Sequence, residues 1–333
     1  MDPLLNLLQL RPREDWTWKF DSNADAESAL NAVALCNASL LAYSTQIDVQ
    51  RYLANWKFEE PIFVRGSSTQ GFVARRGDIV IVVFRGTEPI NADDWLSDVN
   101  YHQSPAPDLP GSLHHGFTKA FDEVDRQVMD AVKHFAQDER TRLFATGHSL
   151  GGALAVLAAA LLHFREKRRI TGVFTYGQPR LGDAAFSTAY NEALGPITFR
   201  YVNDLDFVPH VPPTRLPARH LLRAPASVLD FLRRASDLPN EIRTAIDEVI
   251  KGEQFSHVGQ LRLFQRDGSL GSDEQEWQKR ELIYSGTVSE LLKTFPNLLR
   301  AQLGQLLRGP NRLLDHDPLN GYLPKLEAQL RQG

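Results

Sequence analysis

Arg142-Leu-Phe-Ala-Thr-Gly-His-Ser-Leu-Gly-Gly-Ala-Leu-Ala-Val-Leu-Ala-Ala-Ala160 is the stretch that decides how this chain is read. Leu143 to Thr146 is a short apolar run, Gly147-His-Ser149-Leu-Gly151 is a tight turn, and an alanine- and leucine-rich helical pattern follows. Strand, sharp turn and helix, in that order, form the setting in which G-x-S-x-G presents a nucleophilic serine. A serine hydroxyl attacks poorly until a base takes its proton, so it must stand where a base can reach it. A sharp turn achieves this by holding Ser149 in a strained backbone, and glycine two residues to either side lets strand and helix close up. The bare pattern arises by chance in about one chain in ten of this length. The preceding strand and the small residues that follow, Gly152 and Ala153, set this copy apart. Ser149 is therefore the expected nucleophile.

With 333 residues, 42% of them hydrophobic, the chain has enough apolar mass to bury a large core. A net charge of −4 leaves no electrostatic footprint for nucleic acid. The single cysteine, Cys36, excludes an intrachain disulfide framework and any cysteine-based zinc spacing, and it sits in an apolar helical pattern. No apolar run reaches the length of a membrane-spanning helix. Met1 to Leu10 lacks the basic start and small-residue cleavage site of a secretory signal. The expectation is a cytoplasmic protein, or a secreted one if a leader has been removed.

Outward from the turn, the chain alternates between strand and helix patterns. Asp25 to Tyr43 and Tyr52 to Trp56 read as helices. Gly71 to Asp78 followed by Ile79 to Phe84 reads as a hairpin whose second strand is apolar throughout, which suits a sheet covered on both faces. Asn91 to Asn100 reads as a short helix, the proline-rich Gln103 to Gly111 as loop, and Gly116 to Gln137 as one long amphipathic helix. Ile170 to Tyr176 and Thr198 to Val202 are further strands, with a helix capped by Asp183 between them. This alternation predicts an α/β fold with a largely parallel sheet. Beyond Pro213, two helices are expected within Val228 to Lys251 and another over Val288 to Arg308. Strands are expected at Ser256 to Arg266 and Glu274 to Tyr284, and a last helix at Pro318 to Leu330.

A serine nucleophile needs a base, and the base needs an acid to orient it. On α/β-hydrolase sheets the chain order is serine, then aspartate or glutamate, then histidine. Asp204 and Asp206 both stand at a strand end in Asn203-Asp-Leu-Asp-Phe-Val-Pro209. His220, His257 and His316 all follow them. Composition alone leaves both choices open.

At this point the residues resemble a family, the class 3 lipases of the α/β-hydrolase superfamily. The marks are Val83-Phe-Arg-Gly-Thr-Glu88, Asp94-Trp-Leu-Ser-Asp98, His115-Gly-Phe117, Gly147 to Ala153, Tyr176-Gly-Gln-Pro-Arg-Leu-Gly182, Asn203 to Pro209, and Asp315-His316 before Tyr322. The resemblance implies one α/β-hydrolase domain over residues 1–333: a mostly parallel sheet flanked by helices, with helical insertions at 214–255 and 286–311. It implies Ser149 as nucleophile, Asp206 as acid (because Asp206-Phe-Val-Pro209 fits the family's Asp-x-Val-Pro) and His316 as base. Phe255-Ser-His257-Val-Gly259 resembles a different family segment, whose histidine is not the base. Thr87 and Leu150 are implied as the oxyanion hole, each through its backbone N–H.

The implied reaction is acyl transfer from a lipid ester to water, as in a triacylglycerol lipase or carboxylesterase, with neither cofactor nor metal. Phospholipase A1 and feruloyl-type esterase chemistry use the same scaffold. A catalytically silent scaffold is a further alternative, but all three triad candidates are present. The segment from Glu88 to Asn100 matches the family's lid, so Glu88 and Trp95 are candidate substrate-binding or lid residues. The 109 residues between Asp206 and His316 exceed the compact family pattern. Their leucine-rich helices would pack on the core, cap the site, form a dimer surface or meet a lipid–water interface.

Overall fold

The computed structural model of the chain describes residues 16–22, 24, 27–86, 103–138, 140–204, 206, 208–212, 255–265, 267–273, 277 and 321–331. Its frame is an eight-stranded sheet in the order β1-β2-β3-β6-β7-β8-β9-β10. The strands are β1 (Ile62–Arg65), β2 (Gln70–Arg76), β3 (Ile79–Phe84), β6 (Arg142–His148), β7 (Gly172–Tyr176), β8 (Thr198–Asn203), β9 (Gln260–Phe264) and β10 (Leu270–Gly271). The run from β3 through β6, β7 and β8 to β9 is parallel, and antiparallel pairs close both edges.

β3 explains why the sheet has two cores. Its six residues are all fully or nearly fully buried. Because successive side chains in a strand point to opposite faces, Val80, Val82 and Phe84 enter one apolar cluster while Ile79, Ile81 and Val83 enter another. On the first face lie α3 (His115–Asp122), α4 (Asp125–Phe135) and α5 (Leu150–Phe164). On the second lie α1 (Ala29–Leu41), α2 (Gln46–Asn55) and α7 (Leu323–Leu330). α6 (Ala184–Leu194) links β7 to β8 and is capped as expected, Asp183 accepting from the Phe186 N–H. α5 is buried on every side from Leu150 to Leu162, which is why its residues are small and apolar rather than amphipathic. Among the described residues, no helix is long and apolar enough to cross a membrane.

The structure corrects several expected elements. The long helix over 116–137 is two helices, broken at Glu123 and Val124. Glu123 turns away to accept the Ser68 N–H at 2.8 Å, and Asp125 is gripped by both terminal nitrogens of Arg165 at 2.9 and 2.7 Å. Part of the expected loop is β4 (Gln103–Pro105), paired antiparallel with β5 (Ser112–His114). Pro105 is tolerated there because it ends a short ribbon strand. β9 pairs antiparallel with β10, directly after the Asp267-Gly268 turn, and of the strand expected over 274–284 only Trp277 is among the described residues. Trp277 has helical backbone, its N–H donating to the Asp273 carbonyl at 3.0 Å. The helices expected at 91–100, 228–251 and 288–308 lie outside the described residues, and with them the proposed lid and both insertions.

His114, at the junction of β5 and α3, carries a pH expectation. Its Nδ1 accepts the Gly116 N–H at 3.1 Å and its ring stacks on Phe117. Burial, helped by the neighbouring His115, lowers its pKa from 6.5 to about 4. A histidine held neutral in the fold takes up protons more readily when unfolded. Its contribution is therefore complete above pH 6.5 and is lost as pH falls toward 4. The shift corresponds to roughly 2–3 kcal/mol between pH 7 and 4.5. His114→Asn keeps an acceptor for the cap but does not titrate, so its stability should fall less steeply over that range in urea melts. Equal slopes for the two proteins would contradict the assignment.

Candidate active site

The parallel strands all end on one side of the sheet, and the site lies there, as open α/β sheets dictate. β6 ends at His148, Ser149 forms the junction, and α5 begins at Leu150. Ser149 has φ 58° and ψ −131°, a conformation that side-chain-bearing residues rarely adopt. Its N–H donates to the Tyr176 carbonyl at 2.9 Å, and its own carbonyl accepts the Gly152 N–H at 2.9 Å. The strained turn is thus tied both to the next strand and to its own helix.

Two glycines make the turn possible. A Cβ on Gly147 would lie 2.1 Å from the Gly151 carbonyl oxygen, and one on Gly151 would lie 2.4 Å from that of Phe84. Strand, helix and the end of β3 therefore meet backbone to backbone. Gly86 is wedged against the same turn, since a Cβ there would lie 3.0 Å from the Ser149 Cβ. Leu150 is the first residue of α5, and the N–H at that position has no acceptor within its own helix.

Asp206 lies just beyond β8 and is completely buried. Its Oδ1 accepts the Val208 N–H at 2.9 Å, and its Oδ2 accepts the Tyr322 hydroxyl in a short hydrogen bond. The same hydroxyl oxygen accepts the Asn203 N–H at 3.1 Å, and Lys325 donates to the Asn203 side-chain oxygen at 2.5 Å. The chain after Asp206 is pinned by Arg180, whose Nη1 donates to the carbonyls of His210 and Pro212 at 2.6 and 2.7 Å. Asp204 is also buried, its N–H donating to the Asn203 side-chain oxygen at 3.1 Å.

His257 occupies a different setting. Its Nε2 is hydrogen-bonded to the Pro209 carbonyl at 2.7 Å, and its ring meets Trp277 edge to face. Burial, with Arg200 and Arg180 nearby, holds its pKa well below 6.5. A neutral ring committed to a backbone carbonyl suits a packing role. His316 and His220 lie outside the described residues, as do Thr87, Glu88 and Trp95.

Two residues of the site carry no functional signal in the sequence. Tyr322 stands only as a family mark after His316, and Tyr43 closes a helical pattern. The Tyr43 hydroxyl accepts the Gly86 N–H at 3.1 Å and lies 2.9 Å from Nδ1 of His148. No local signal announces such a contact, because its partners are brought together only by the fold.

A serine at a strained strand–helix junction, above the carboxyl ends of a parallel sheet, defines an α/β-hydrolase with a nucleophile elbow. Residues 81–216 match the model of the class 3 lipase family. The match takes in Thr87, Ser149, Leu150 and Asp206 and ends before His316. The triacylglycerol lipase OBL1 of Arabidopsis thaliana is 31% identical over 230 residues, which are 53% of this chain and 44% of that protein. A lipase of Rhizomucor miehei is 36% identical over 160 residues, 46% of this chain and 43% of that protein. The chain thus spans under half the length of these curated relatives. The solved structure of a Rhizomucor miehei triacylglyceride lipase aligns with a TM-score of 0.51 at 24% identity. That alignment covers 72% of this chain and 82% of the lipase, a likeness of fold.

Proposed function

We propose that this protein is a serine hydrolase that cleaves carboxylic ester bonds of lipids, acylglycerols first among them. The observation that carries the reading is the Ser149 backbone at φ 58° and ψ −131°, between β6 and α5 and pressed by Gly86 from the end of β3. Strain of this kind persists only where surrounding structure enforces it, and it concentrates at functional sites. The class 3 lipase match and relatives named as triacylglycerol lipases support the choice of substrate.

In this reading His316 takes the Ser149 proton as the hydroxyl oxygen attacks the ester carbonyl, and Asp206 orients the imidazole and balances its charge. The N–H groups of Thr87 and Leu150 receive the oxyanion, each worth about 3 kcal/mol in comparable sites. Collapse of the intermediate releases the alcohol with the proton from His316, and water then frees the acid. Glu88 and Trp95 would line the entrance, where substrate arrives from a lipid–water interface.

The test combines turnover with labelling. The wild-type protein should hydrolyse nitrophenyl esters, with a preference among acyl chain lengths. A nitrophenyl alkylphosphonate should then add once per chain, at Ser149, as located by peptide mass analysis. Hydrolysis no faster than buffer on every ester, or phosphonate found on another residue, would sink the proposal.

A further inference from the structure

Tyr43 lies two residues beyond the end of α1, half-buried, and its hydroxyl reaches two segments at once. One is Gly86, the second residue after β3. The other is His148, the last residue of β6 and the neighbour of Ser149. The hydroxyl oxygen accepts the Gly86 N–H at 3.1 Å and lies 2.9 Å from Nδ1 of His148, a hydrogen bond in which either atom can be the donor. Through one oxygen, the end of β3 is tied to the elbow.

Space leaves no slack in this contact. A Cβ on Gly86 would fall 2.3 Å from the Tyr43 hydroxyl, 2.6 Å from the His148 carbonyl oxygen and 3.0 Å from the Ser149 Cβ. The Gly86 backbone is thus held between Tyr43 and the nucleophile's turn. Tyr43 is itself anchored, because α1 accepts the Thr146 hydroxyl at Leu35 (3.3 Å) and the Tyr176 hydroxyl at Ala32 (2.5 Å). The Arg85 guanidinium lies over the Tyr43 ring at 5.9 Å.

We infer that Tyr43 is a positioning residue of the proposed ester hydrolysis, its hydroxyl setting the Gly86 backbone against the elbow so that donor and nucleophile address the same carbonyl. The inference rests on the reading above, in which Thr87 is an oxyanion donor. A peptide unit is planar, so holding the Gly86 N–H fixes the Arg85–Gly86 plane, and the wedge of Gly86 against His148 and Ser149 fixes where the chain leaves β3. Tyr43 touches neither substrate nor reacting atoms in this scheme. It acts through Gly86 and His148.

Tyr43→Phe keeps the ring and its contact with Arg85 while removing the hydroxyl. The expected loss in kcat is between about 10- and 100-fold, below that for deleting an oxyanion donor outright, with KM within about threefold. The loss should be uniform across nitrophenyl esters of different chain length, because every ester develops the same oxyanion. A role in shaping the acyl pocket would make the loss depend on chain length, and that result overturns the inference, as does unchanged kcat. His148→Leu removes the other end of the bridge. Its loss, Tyr43→Phe and the double variant should be non-additive, the double variant being no worse than about threefold below the weaker single. Additive losses, or a loss that follows the unfolded fraction in a thermal melt, also overturn it. Should wild type match Ser149→Ala on every ester, the hydrolase reading itself fails, and that outcome is distinct from wild-type turnover that Tyr43→Phe leaves intact.

Discussion

Replacing Ser149 by alanine should lower kcat by roughly 10⁵- to 10⁶-fold, the size of effect seen when a serine hydrolase loses its nucleophile. Some hydrolysis above buffer should survive, because the oxyanion donors and the bound substrate still act, commonly about 10³-fold over water. Stability should separate alanine from glycine at this position. The backbone at φ 58° and ψ −131° strains any residue with a Cβ, alanine as much as serine. Ser149→Ala should therefore melt close to wild type. Ser149→Gly sheds the strain, about 1–3 kcal/mol, against an entropic cost of about 0.5–1 kcal/mol, for a net gain near 1 kcal/mol. The glycine variant should be as inactive as the alanine variant yet melt a few degrees higher. Comparing kcat and melting temperature of the three proteins checks this. A glycine variant less stable than alanine would mean that the turn is not strained in solution.

That strain is legible in the sequence, because glycines two residues either side of a serine have few other uses between a strand and a small-residue helix. β3 was legible for a similar reason. A six-residue apolar run has to be buried on both faces, and its alternate residues do divide between two clusters. What escaped was decided by partners distant in the chain. The amphipathic period runs unbroken through Glu123 and Val124, and the helix parts where the Val124 backbone leaves the helical range (φ −125°, ψ −3°), with Glu123 bonded to Ser68 and Asp125 to Arg165 on either side. Gln103 to Pro105 is too short and too rich in proline context to show a strand period, and it pairs only because Ser112 to His114 returns beside it. Tyr43 meets His148 across 105 residues, and Tyr322 meets Asp206 across 116. Neither leaves a local pattern. The choice between Asp204 and Asp206 was likewise closed to composition, since both stand at the end of the same strand.

Experiment can make that choice. Asp206→Asn should reduce kcat by about 10³- to 10⁴-fold with little change in KM, as expected when the group that orients a catalytic imidazole loses its charge. The carboxylate is completely buried and, among the described residues, accepts the Val208 N–H on Oδ1 and the Tyr322 hydroxyl on Oδ2. An amide has only one acceptor oxygen. The backbone N–H of Val208 cannot reverse, so the amide oxygen should stay there and place its NH₂ toward Tyr322. That hydroxyl can rotate to accept, although it already receives the Asn203 N–H at 3.1 Å. The stability cost should then be near the low end of about 1–3 kcal/mol for an imperfectly met buried group. The imidazole, by contrast, would meet a neutral group that neither fixes its tautomer nor offsets its charge. Activity should therefore fall far more than stability, and the ratio separates a catalytic acid from a structural one. Asp204→Asn is the control, since Asp204 is also buried and two residues closer to the strand, yet should keep kcat within about tenfold once the folded fraction is measured. If Asp206→Asn retains more than a tenth of wild-type kcat while Asp204→Asn loses it, the carboxylate that serves His316 is Asp204, and the Tyr322 bond to Asp206 is a brace for the C-terminal helix.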